Sequence, residues 1–363
     1  MKKQRIGIIG CGGIANQKHF PSLSKLGDLC ELVAFCDIIP ERAQKAAEAY
    51  GVKNADVYDN YKQLLNDSSI DVVHVLTPNV SHSAITVDAF EAGKHVLCEK
   101  PMSHSSKDAR LMMEAAVKAN KKFTVGYQNR FRNDVQALHK ACEAGRLGEI
   151  YFAKAHAIRR RGVPTWGVFQ NKELQGGGPL IDIGTHALDI TLWMMNNYKP
   201  KAVMGSVFHK LGGKPEGNMF GPWDPDAFEV EDSAFGFIKM HNGATIYLEA
   251  AWALNTLDVK EATTTLCGTS AGAELRPAGE RKAELIINSV DYGEMMEQRL
   301  SPGGGIAYFS GETKDPGFIE AKQWLLSIIN DTEPLVKPEQ AFAVTQILEA
   351  IYKSNETGQT IEF

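Results

Sequence analysis

Apolar and polar residues alternate in the first third of the chain in a way that predicts strands and helices in turn. Short apolar runs such as 6–9 and 32–36 predict buried strands, whereas 40–50 has the one-sided apolar pattern of a helix. This alternation predicts a doubly wound parallel sheet. The other strands and helices of the series are 71–76, 82–92, 95–98, 106–119 and 123–127.

Beyond residue 128 the pattern changes to longer strands. Asn242-Gly243 lies between two of them and is a strong hairpin signal, whereas the Gly/Pro-rich stretch 211–225 predicts a surface loop. We expect an open, mostly antiparallel sheet of α+β type with helices on one face. The strands predicted here are 151–158, 202–208, 234–240 and 245–252.

The change of pattern predicts two domains. We expect residues 1–128 to form a first domain of the doubly wound, Rossmann type and residues 129–363 to form a second, α/β domain. The pattern alone does not assign the last helix, 338–354, to either domain.

Composition favours a globular enzyme over several other classes of protein. The chain has 363 residues, 44% of them hydrophobic, and a formal net charge of −5. This mild acidity offers no basic surface for nucleic acid, and no apolar run reaches the ~20 residues of a membrane-spanning helix. Six cysteines without metal-ligand spacing predict reduced thiols and no metal site. We expect a cytoplasmic protein that binds neither nucleic acid nor membrane.

A glycine-rich turn follows the first predicted strand. Gly10-Cys11-Gly12-Gly13-Ile14-Ala15 matches G-x-G-x-x-A at the start of a helix. Such a turn allows the backbone to approach a pyrophosphate, which binds at the helix N-terminus. The basic residues before the apolar run also occur in signal peptides, but this run is too short and leads directly into the turn.

Asp37 ends the second predicted strand, 22 residues after Ala15. A carboxylate at this distance from the glycine turn binds the adenosine ribose of a dinucleotide. It should also repel the 2′-phosphate of NADP, and Ile38 and Ile39 follow it rather than Arg or Ser. We therefore expect NAD to be preferred to NADP; Arg42, on the next helix, is the residue that would admit NADP.

Two further motifs carry groups for proton chemistry. In Glu99-Lys100-Pro101 the proline disfavours helical geometry at Lys100, although the sequence does not reveal whether the bond is cis. Asp182 and His186 are four residues apart, so they share a face if the segment is helical. Taken alone, Asp182 is equally consistent with a helix cap and His186 with a core residue. Together with the glycine turn, these groups are what hydride transfer from a secondary alcohol requires.

These segments together resemble the Gfo/Idh/MocA oxidoreductase family, which includes glucose-fructose oxidoreductase and inositol dehydrogenases. The resemblance implies a Rossmann domain, bound NAD or NADP, and oxidation or reduction at a ring carbon of a sugar or cyclic polyol. It also implies a C-terminal sheet used for assembly, and we expect a homodimer or homotetramer built through residues 150–330. The segments that carry it are 10–15, Thr77-Pro78-Asn79 with His82, 93–101, and Gly177-Gly178 leading to Asp182 and His186.

The resemblance assigns catalytic roles to Lys100, Asp182 and His186. His186 would be the base or acid, because an imidazole titrates near neutral pH. Lys100 would hydrogen-bond the reacting oxygen, and Asp182 would bind substrate hydroxyls or orient the imidazole.

Other residues are assigned on weaker grounds. Tyr127, Gln128 and Arg130 end the last Rossmann strand, and we expect some of them to face nicotinamide or substrate. His82 is also a typical capping or packing residue. The cofactor contacts are Gly10, Gly12, Gly13, Ile14, Ala15, Asp37, Arg42, Thr77, Pro78, Asn79, His82, Glu99, Lys100 and Gln128. The substrate contacts are Lys100, Arg130, Arg159, Trp166, Asp182, Thr185 and His186.

Three function classes remain open at this point. The first is an NAD-dependent sugar or cyclitol dehydrogenase. The second is a glycosidase of the same fold, which oxidises the sugar transiently, eliminates the leaving group and regenerates the cofactor. The third is a catalytically silent sugar or nucleotide sensor, which loss of Lys100 or His186 would have favoured; neither is lost.

Overall fold

The computed structural model describes most of the chain, and its contacts form two compact units. Residue 1 and the segments 277–283 and 301–314 lie outside the described residues, so the parts of the predicted second domain and assembly region that fall there are not described. The first unit comprises residues 2–128 and 315–342, and the second comprises 129–276, 284–300 and 343–363.

The first unit contains a parallel sheet of six strands. These are β1 (Gln4–Ile9), β2 (Cys30–Cys36), β3 (Asp56–Tyr58), β4 (Val72–Val75), β5 (His95–Cys98) and β6 (Phe123–Val125). They pair in the order β3-β2-β1-β4-β5-β6, and each pairing is parallel. This is the strand order of a doubly wound dinucleotide-binding fold, so the predicted fold class of this half is confirmed.

The second unit contains a sheet of nine described strands. These are β7 (Ile150–Ile158), β8 (Pro200–Phe208), β9 (Ser233–Met240), β10 (Thr245–Ala251), β11 (Lys260–Gly268), β12 (Ala271–Arg276), β13 (Glu284–Asp291), β14 (Glu294–Leu300) and β15 (Ile361–Glu362). Their order is β14-β13-β12-β11-β7-β10-β9-β8-β15, and among these pairings only β7 with β10 is parallel. The predicted, mostly antiparallel sheet is confirmed. The hairpin turn between β9 and β10 is confirmed too, with Gly243 at φ +91°.

Ten α-helices occur in the described ranges. Several have clear end signals: the Ser105 hydroxyl caps one N-terminus by accepting a bond from the Asp108 N–H, and Asn120 ends the same helix in the left-handed region. The helices are α1 (Phe20–Leu23), α2 (Pro40–Tyr50), α3 (Tyr61–Leu65), α4 (His82–Glu91), α5 (Ser106–Ala119), α6 (Asn133–Glu143), α7 (Lys172–Gln175), α8 (Thr185–Met195), α9 (Pro316–Ile329) and α10 (Pro338–Thr357).

Helix α9 packs on the first unit. Phe318, Trp324 and Leu325 are buried in one apolar cluster with Phe20 and Phe35. In sequence this helix lies within 129–363, the range we assigned to the second domain; its apolar face is buried in the core of the first unit instead. The first five residues of α10 group with the first unit and the rest with the second.

The two faces of the second sheet differ. Ala153, Ala155 and Ala157 are fully buried on the face that α8 covers. On the opposite face Met204 and Phe237 are neighbours in register and are 57% and 53% exposed within the single chain. One apolar face of the sheet therefore remains open in one copy of the protein.

Candidate active site

The turn after β1 requires glycine at position 10. Gly10 has a φ of +96°, and a Cβ there would lie 2.6 Å from the carbonyl oxygen of Leu76. Its N–H donates to the carbonyl of Cys36 at 2.8 Å, which fixes the turn against the end of β2. An L-residue would be strained at this φ and would also collide with β4's end.

Gly12 and Gly13 have the opposite environment. A Cβ on either would meet no heavy atom within 4 Å, so both face open space. A helical segment begins directly afterwards with a π-type turn at Ala15–His19, and Asn16 Nδ2 donates to the carbonyls of Cys11 and Gly12 at 2.9 and 2.8 Å. An open backbone turn at a helix N-terminus is suited to a pyrophosphate, so these residues fit a bound dinucleotide. Ile14 lies half-buried in this turn.

Asp37 is built into the same turn. Its Oδ2 accepts from the Cys11 N–H at 2.8 Å and its Oδ1 from the Ile39 N–H at 2.9 Å. Each carboxylate oxygen has a further lone pair, so the ribose hydroxyls of a dinucleotide could still be bound. Ile38 is 89% exposed and Arg42 is also exposed.

His82 connects the Thr77-Pro78-Asn79 loop to the Glu99-Lys100-Pro101 loop, which we call the lysine loop. The two ring nitrogens of this buried histidine lie 2.9 Å from the carbonyl oxygen of Thr77 and 2.8 Å from that of Pro101. Burial lowers the pKa of His82, although both carbonyls favour the charged ring. His82 therefore joins two loops at the carboxyl edge of the parallel sheet, and Asn79 is buried beside it.

Glu99 fixes the backbone of the lysine loop. Its Oε1 accepts from Lys18 Nζ at 2.7 Å and from His19 Nε2 at 2.8 Å, and its Oε2 accepts from the backbone N–H of Lys100 at 3.0 Å. Burial alone would raise the pKa of Glu99, but Lys18 and then His19 hold it well below its usual range. The peptide bond between Lys100 and Pro101 is cis. Glu99 is thus an ionised anchor for Lys100.

A second carboxylate shares the ammonium of Lys18. Glu320 on α9 lies 2.7 Å from Lys18 Nζ through its Oε2, and its Oε1 has no hydrogen-bond partner among the described residues. Burial raises the pKa of Glu320 to about 7, Lys18 opposes this rise, and Glu99 adds to it. His19 and His74 stand 3.3 Å apart through their Nδ1 atoms, and burial lowers the pKa of both.

In the second unit, Asp182 lies in a π-type turn, Leu180–Gly184, that continues directly into α8. The segment is helical, as the shared-face prediction required, and Asp182 is 7% exposed while His186 is half-buried. Trp252 Nε1 donates to Asp182 Oδ2 at 3.1 Å. Wide helical turns of this kind often occur at functional sites.

The turn before Asp182 is held by a buried carboxylate that the sequence did not reveal. Glu231 accepts from the N–H groups of Gly178 at 2.8 Å and Leu180 at 3.2 Å, and from the Tyr352 hydroxyl at 2.8 Å. A Cβ on Gly177 would lie 2.1 Å from Tyr352 Oη, which explains the small residue there. Burial raises the pKa of Glu231.

Arg159 lies within electrostatic range of Asp182. It forms two 2.6 Å hydrogen bonds to Glu261, and Asp182 contributes to the electrostatic field that raises its pKa against the effect of burial. Its guanidinium also lies 5.8 Å from the ring centre of Phe220. Asp182 is therefore close enough to Arg159 to act on its charge, and Thr185 is fully buried; the substrate-binding roles of all three residues stay a prediction.

Arg130 has a different partner from the expected substrate. It is fully buried and forms two hydrogen bonds to Asp189, at 2.9 and 2.6 Å, while its guanidinium lies 5.2 Å from the centre of Trp193. The carboxylate of Asp189 therefore balances the buried positive charge of Arg130 within the second unit. Tyr127 is fully buried and Gln128 half-buried at the end of the first unit.

Trp166 lies in an aromatic group on the second unit. Its ring packs edge-on against Phe220 at 4.9 Å and Phe169 at 6.0 Å between centroids, and it remains 50% exposed. Within the part of the chain that the structure describes, no group of three or more His, Cys, Asp or Glu is arranged to hold a metal ion. No helix of those same residues combines the length and apolarity needed to cross a bilayer.

Comparison with known proteins identifies the family. Residues 4–127 match the oxidoreductase family with an NAD-binding Rossmann fold, and residues 135–274 match the GFO/IDH/MocA C-terminal domain. The D-glucoside 3-dehydrogenase of Escherichia coli K12 is 40% identical over 360 residues, which cover 99% of this chain and 97% of that protein. The chain belongs to the GFO/IDH/MocA family. It is an oxidoreductase with an NAD-binding Rossmann domain, and the predicted family and cofactor are confirmed.

Two further similarities agree with GFO/IDH/MocA membership. The inositol 2-dehydrogenase of Salmonella paratyphi B is 28% identical over 197 residues, 54% of this chain and 56% of that protein. The structure of a levoglucosan dehydrogenase in complex with NADH and levoglucosan has a TM-score of 0.83 at 22% identity and covers 99% of both chains. At that identity the structural match supports the fold alone.

The residues that the sequence did not reveal are the supports of the predicted ones. The distant partners of Glu99 are Lys18, His19 and, through Lys18, Glu320; those of the Asp182 segment are Glu231, Trp252 and Tyr352. Only the pair Gly177-Gly178 gave a local signal, because two adjacent glycines indicate a close approach by other atoms.

Proposed function

We propose that this GFO/IDH/MocA oxidoreductase is an NAD-dependent dehydrogenase that oxidises a ring carbinol of a sugar or cyclic polyol, with neutral D-glucosides as its leading substrate class. The observation that carries the proposal is the similarity to D-glucoside 3-dehydrogenase over 99% of the chain. Lys100, Asp182 and His186 are all present, which favours an active enzyme over a silent sensor.

The three proposed catalytic residues have different tasks. Oxidation of a secondary alcohol removes a hydride from carbon and a proton from oxygen, and bound NAD⁺ is the hydride acceptor. His186 takes the hydroxyl proton, and the ammonium of Lys100 hydrogen-bonds the same oxygen and stabilises its developing negative charge. Asp182 binds neighbouring hydroxyls and, secondarily, orients the imidazole. Positioned acid–base groups of this kind contribute about 10²–10⁴-fold to rate.

The buried carboxylates support this assignment by fixing the backbone of both segments. Glu99 holds the Lys100 N–H, and Glu231 holds the turn that leads to Asp182. A reacting group held by its own scaffold needs little reorganisation during the reaction. We therefore infer that Glu99 and Glu231 are positioning residues.

NAD is proposed to bind along the carboxyl edge of the parallel sheet. Gly12 and Gly13 would approach the pyrophosphate, Asp37 the adenosine ribose, and the Thr77-Pro78-Asn79 loop with Gln128 the nicotinamide half. The open space at the two glycines and the remaining lone pairs of Asp37 support this placement. Asp37 further favours NAD over NADP, because a 2′-phosphate would stand against its negative charge.

The open face of the second sheet supports a proposed homodimer or homotetramer. Met204, Phe237 and Tyr247 follow one another across β8, β9 and β10, and an apolar row of this kind is typical of an interface. We also propose a cytoplasmic location, because all six cysteines are free thiols in the structure and four of them are buried, as is typical of a reducing compartment.

The proposal is tested by incubating purified protein with NAD or NADP and a panel of methyl glucosides, free sugars and inositols. The expected result is stoichiometric formation of NADH and of a ring ketone, identified by NMR as loss of one ring C–H. Release of the aglycone without net NADH would establish the glycosidase instead. Absence of both reactions across the panel, with NAD binding intact, would establish the sensor and overturn the proposal.

A further inference from the structure

A cavity of about 460 Å³ opens on the second unit beside the segment that carries Trp166. All of its lining residues come from this unit, from 165–174 and 222–229. The second stretch continues from the long loop 211–225, which is pinned to the first stretch: Thr165 Oγ1 donates to the carbonyl of Phe220 at 2.9 Å. The cavity is thus a built feature of two loops that hold one another.

The cavity offers aromatic ring faces. Trp166 packs against Phe169 and Phe220 in T-shaped geometry, with interplanar angles of 75° and 86°, so its neighbours fix the ring. Trp166 is 50% exposed, so part of its side chain remains in contact with solvent. Trp223, also in the lining, is buried and fixed by a 2.6 Å bond from its Nε1 to the carbonyl of Gly212. Rigid, partly exposed aromatic faces combine an apolar body with a polar rim and suit the C–H faces of a pyranose.

The charged groups of the cavity are two carboxylates, Asp224 and Glu229. Asp224 Oδ1 accepts from the Asp226 N–H at 3.0 Å and Glu229 Oε2 from the Lys172 N–H at 3.0 Å, which orients both carboxylates while leaving lone pairs on each. None of the described residues that line the cavity is a lysine, arginine or histidine. Two carboxylates without a lining cation repel phosphate and favour hydroxyl donors, so the charge selects a neutral polyhydroxylated ligand.

Two aromatic side chains, Trp252 and Phe169, lie between Asp182 and the space of this cavity. Trp252 donates from Nε1 to Asp182 Oδ2 at 3.1 Å, and its ring centre lies 6.3 Å from that of Phe169, which lines the cavity. One indole therefore separates the proposed substrate carboxylate from the cavity wall. Phe220, which packs against Trp166, lies 5.8 Å from the guanidinium of Arg159. The negative charge of Glu261, and to a lesser extent that of Asp182, raises the pKa of Arg159.

We propose that this cavity is a subsite for a second sugar ring, so that the preferred substrate is a neutral disaccharide or longer glycoside rather than a monosaccharide or a nucleotide sugar. The glucosyl ring to be oxidised is held by Asp182, and its sugar aglycone stacks on Trp166 and hydrogen-bonds Asp224 and Glu229. This inference rests on the proposed dehydrogenase function and extends it to substrate class.

The experiment compares steady-state oxidation of methyl α- and β-D-glucopyranoside, maltose and cellobiose by the wild type and by Trp166→Ala. We expect the better disaccharide to have a KM at least about tenfold below that of its methyl glucoside, the scale of one good stacking contact with its hydrogen bonds. Trp166→Ala should abolish this advantage by raising the KM for the disaccharide far more than the KM for its methyl glucoside, with a smaller effect on kcat. Trp166→Phe should retain most of the advantage, and Tyr292→Ala, at a fully exposed aromatic, is the matched control.

Two results would overturn the subsite. One is an equal effect of Trp166→Ala on methyl glucosides and disaccharides, which would make Trp166 a packing residue. The other is tighter binding of UDP-glucose than of either disaccharide, which would contradict the charge argument. If the wild type oxidises no sugar, the proposed function fails by itself. The subsite is then judged by isothermal titration calorimetry with the two disaccharides, where saturable binding that is lost in Trp166→Ala supports it and no binding refutes it.

Discussion

Replacement of Glu320 by Gln should stabilise the protein at alkaline pH and leave its stability unchanged in mild acid. One ammonium, that of Lys18, stands 2.7 Å from each of two buried carboxylates, Glu99 and Glu320. Glu99 keeps its charge because His19 also binds it, so the excess negative charge falls on Glu320. Glu320→Gln replaces that carboxylate by a neutral group of the same shape which can still accept from Lys18.

The size of the effect follows from the shift in pKa. Burial raises the pKa of Glu320 from 4.5 to about 7. The folded state therefore holds this proton more tightly than the unfolded chain, and stability is lost as the pH rises from 4.5 through 7. At about 1.36 kcal/mol per pKa unit, the full loss is on the order of 3 kcal/mol, of which about 2–3 kcal/mol falls between about pH 5 and about pH 8.5.

Urea unfolding of the wild type and Glu320→Gln at those two pH values measures the difference directly. The comparison of variants is essential, because the lowered pKa values of His19 and His74 make the wild-type stability rise with pH below their usual 6.5. Glu333→Gln, the same change at an exposed carboxylate of the same unit, is the control. A difference between Glu320→Gln and wild type that does not grow with pH would refute the shared-ammonium reasoning.

Three further predictions concern the cofactor, the turn and the assembly. Asp37→Ser should raise kcat/KM for NADP relative to NAD by about tenfold or more, and equal efficiency of the wild type with both cofactors would contradict the role of Asp37. Gly10→Ala should weaken NADH binding by more than about tenfold, measured by fluorescence titration, because its Cβ meets the Leu76 carbonyl, whereas Gly13→Ala should fold normally. Phe237→Lys should reduce the oligomer to a smaller species by light scattering, and a monomeric wild type at micromolar concentration would refute the interface.

Local pattern predicts the elements that have a clear hydrophobic signature in the sequence. The strands β1, β2, β4 and β5 are buried along most of their length and form continuous apolar runs, so they were predictable. By contrast, β3 has three residues, and every residue of β14 is exposed, so neither carries a hydrophobic signature. The packing of α9 on the first unit was equally unreadable, because an apolar face does not say which core it joins.

The candidate site likewise contains residues that the sequence revealed and residues that only the structure shows. Lys100, Asp182 and His186 stand in short motifs, and Gly10 to Ala15 with Asp37 form a spaced pattern, so the sequence revealed them. Their supports could not be predicted, because Glu99 meets Lys18 and His19 across about eighty residues and Glu231 meets Gly178 across more than fifty. Such pairings depend on the fold and leave no local period. The interior position of Arg130 follows from Asp189 in the same way.

The measurement that tests the central claim most directly is oxidation of a D-glucoside with NAD by wild type, Lys100→Met and His186→Ala, together with NADH affinity for each. The account predicts a loss of turnover of about 10²–10⁴-fold in both variants, the range of positioned acid–base groups. NADH affinity should change much less than turnover, since both residues are proposed to act mainly on the transferring proton. Turnover near the wild-type level in His186→Ala, on a glucoside that the wild type oxidises, would contradict the account and make the histidine a packing residue.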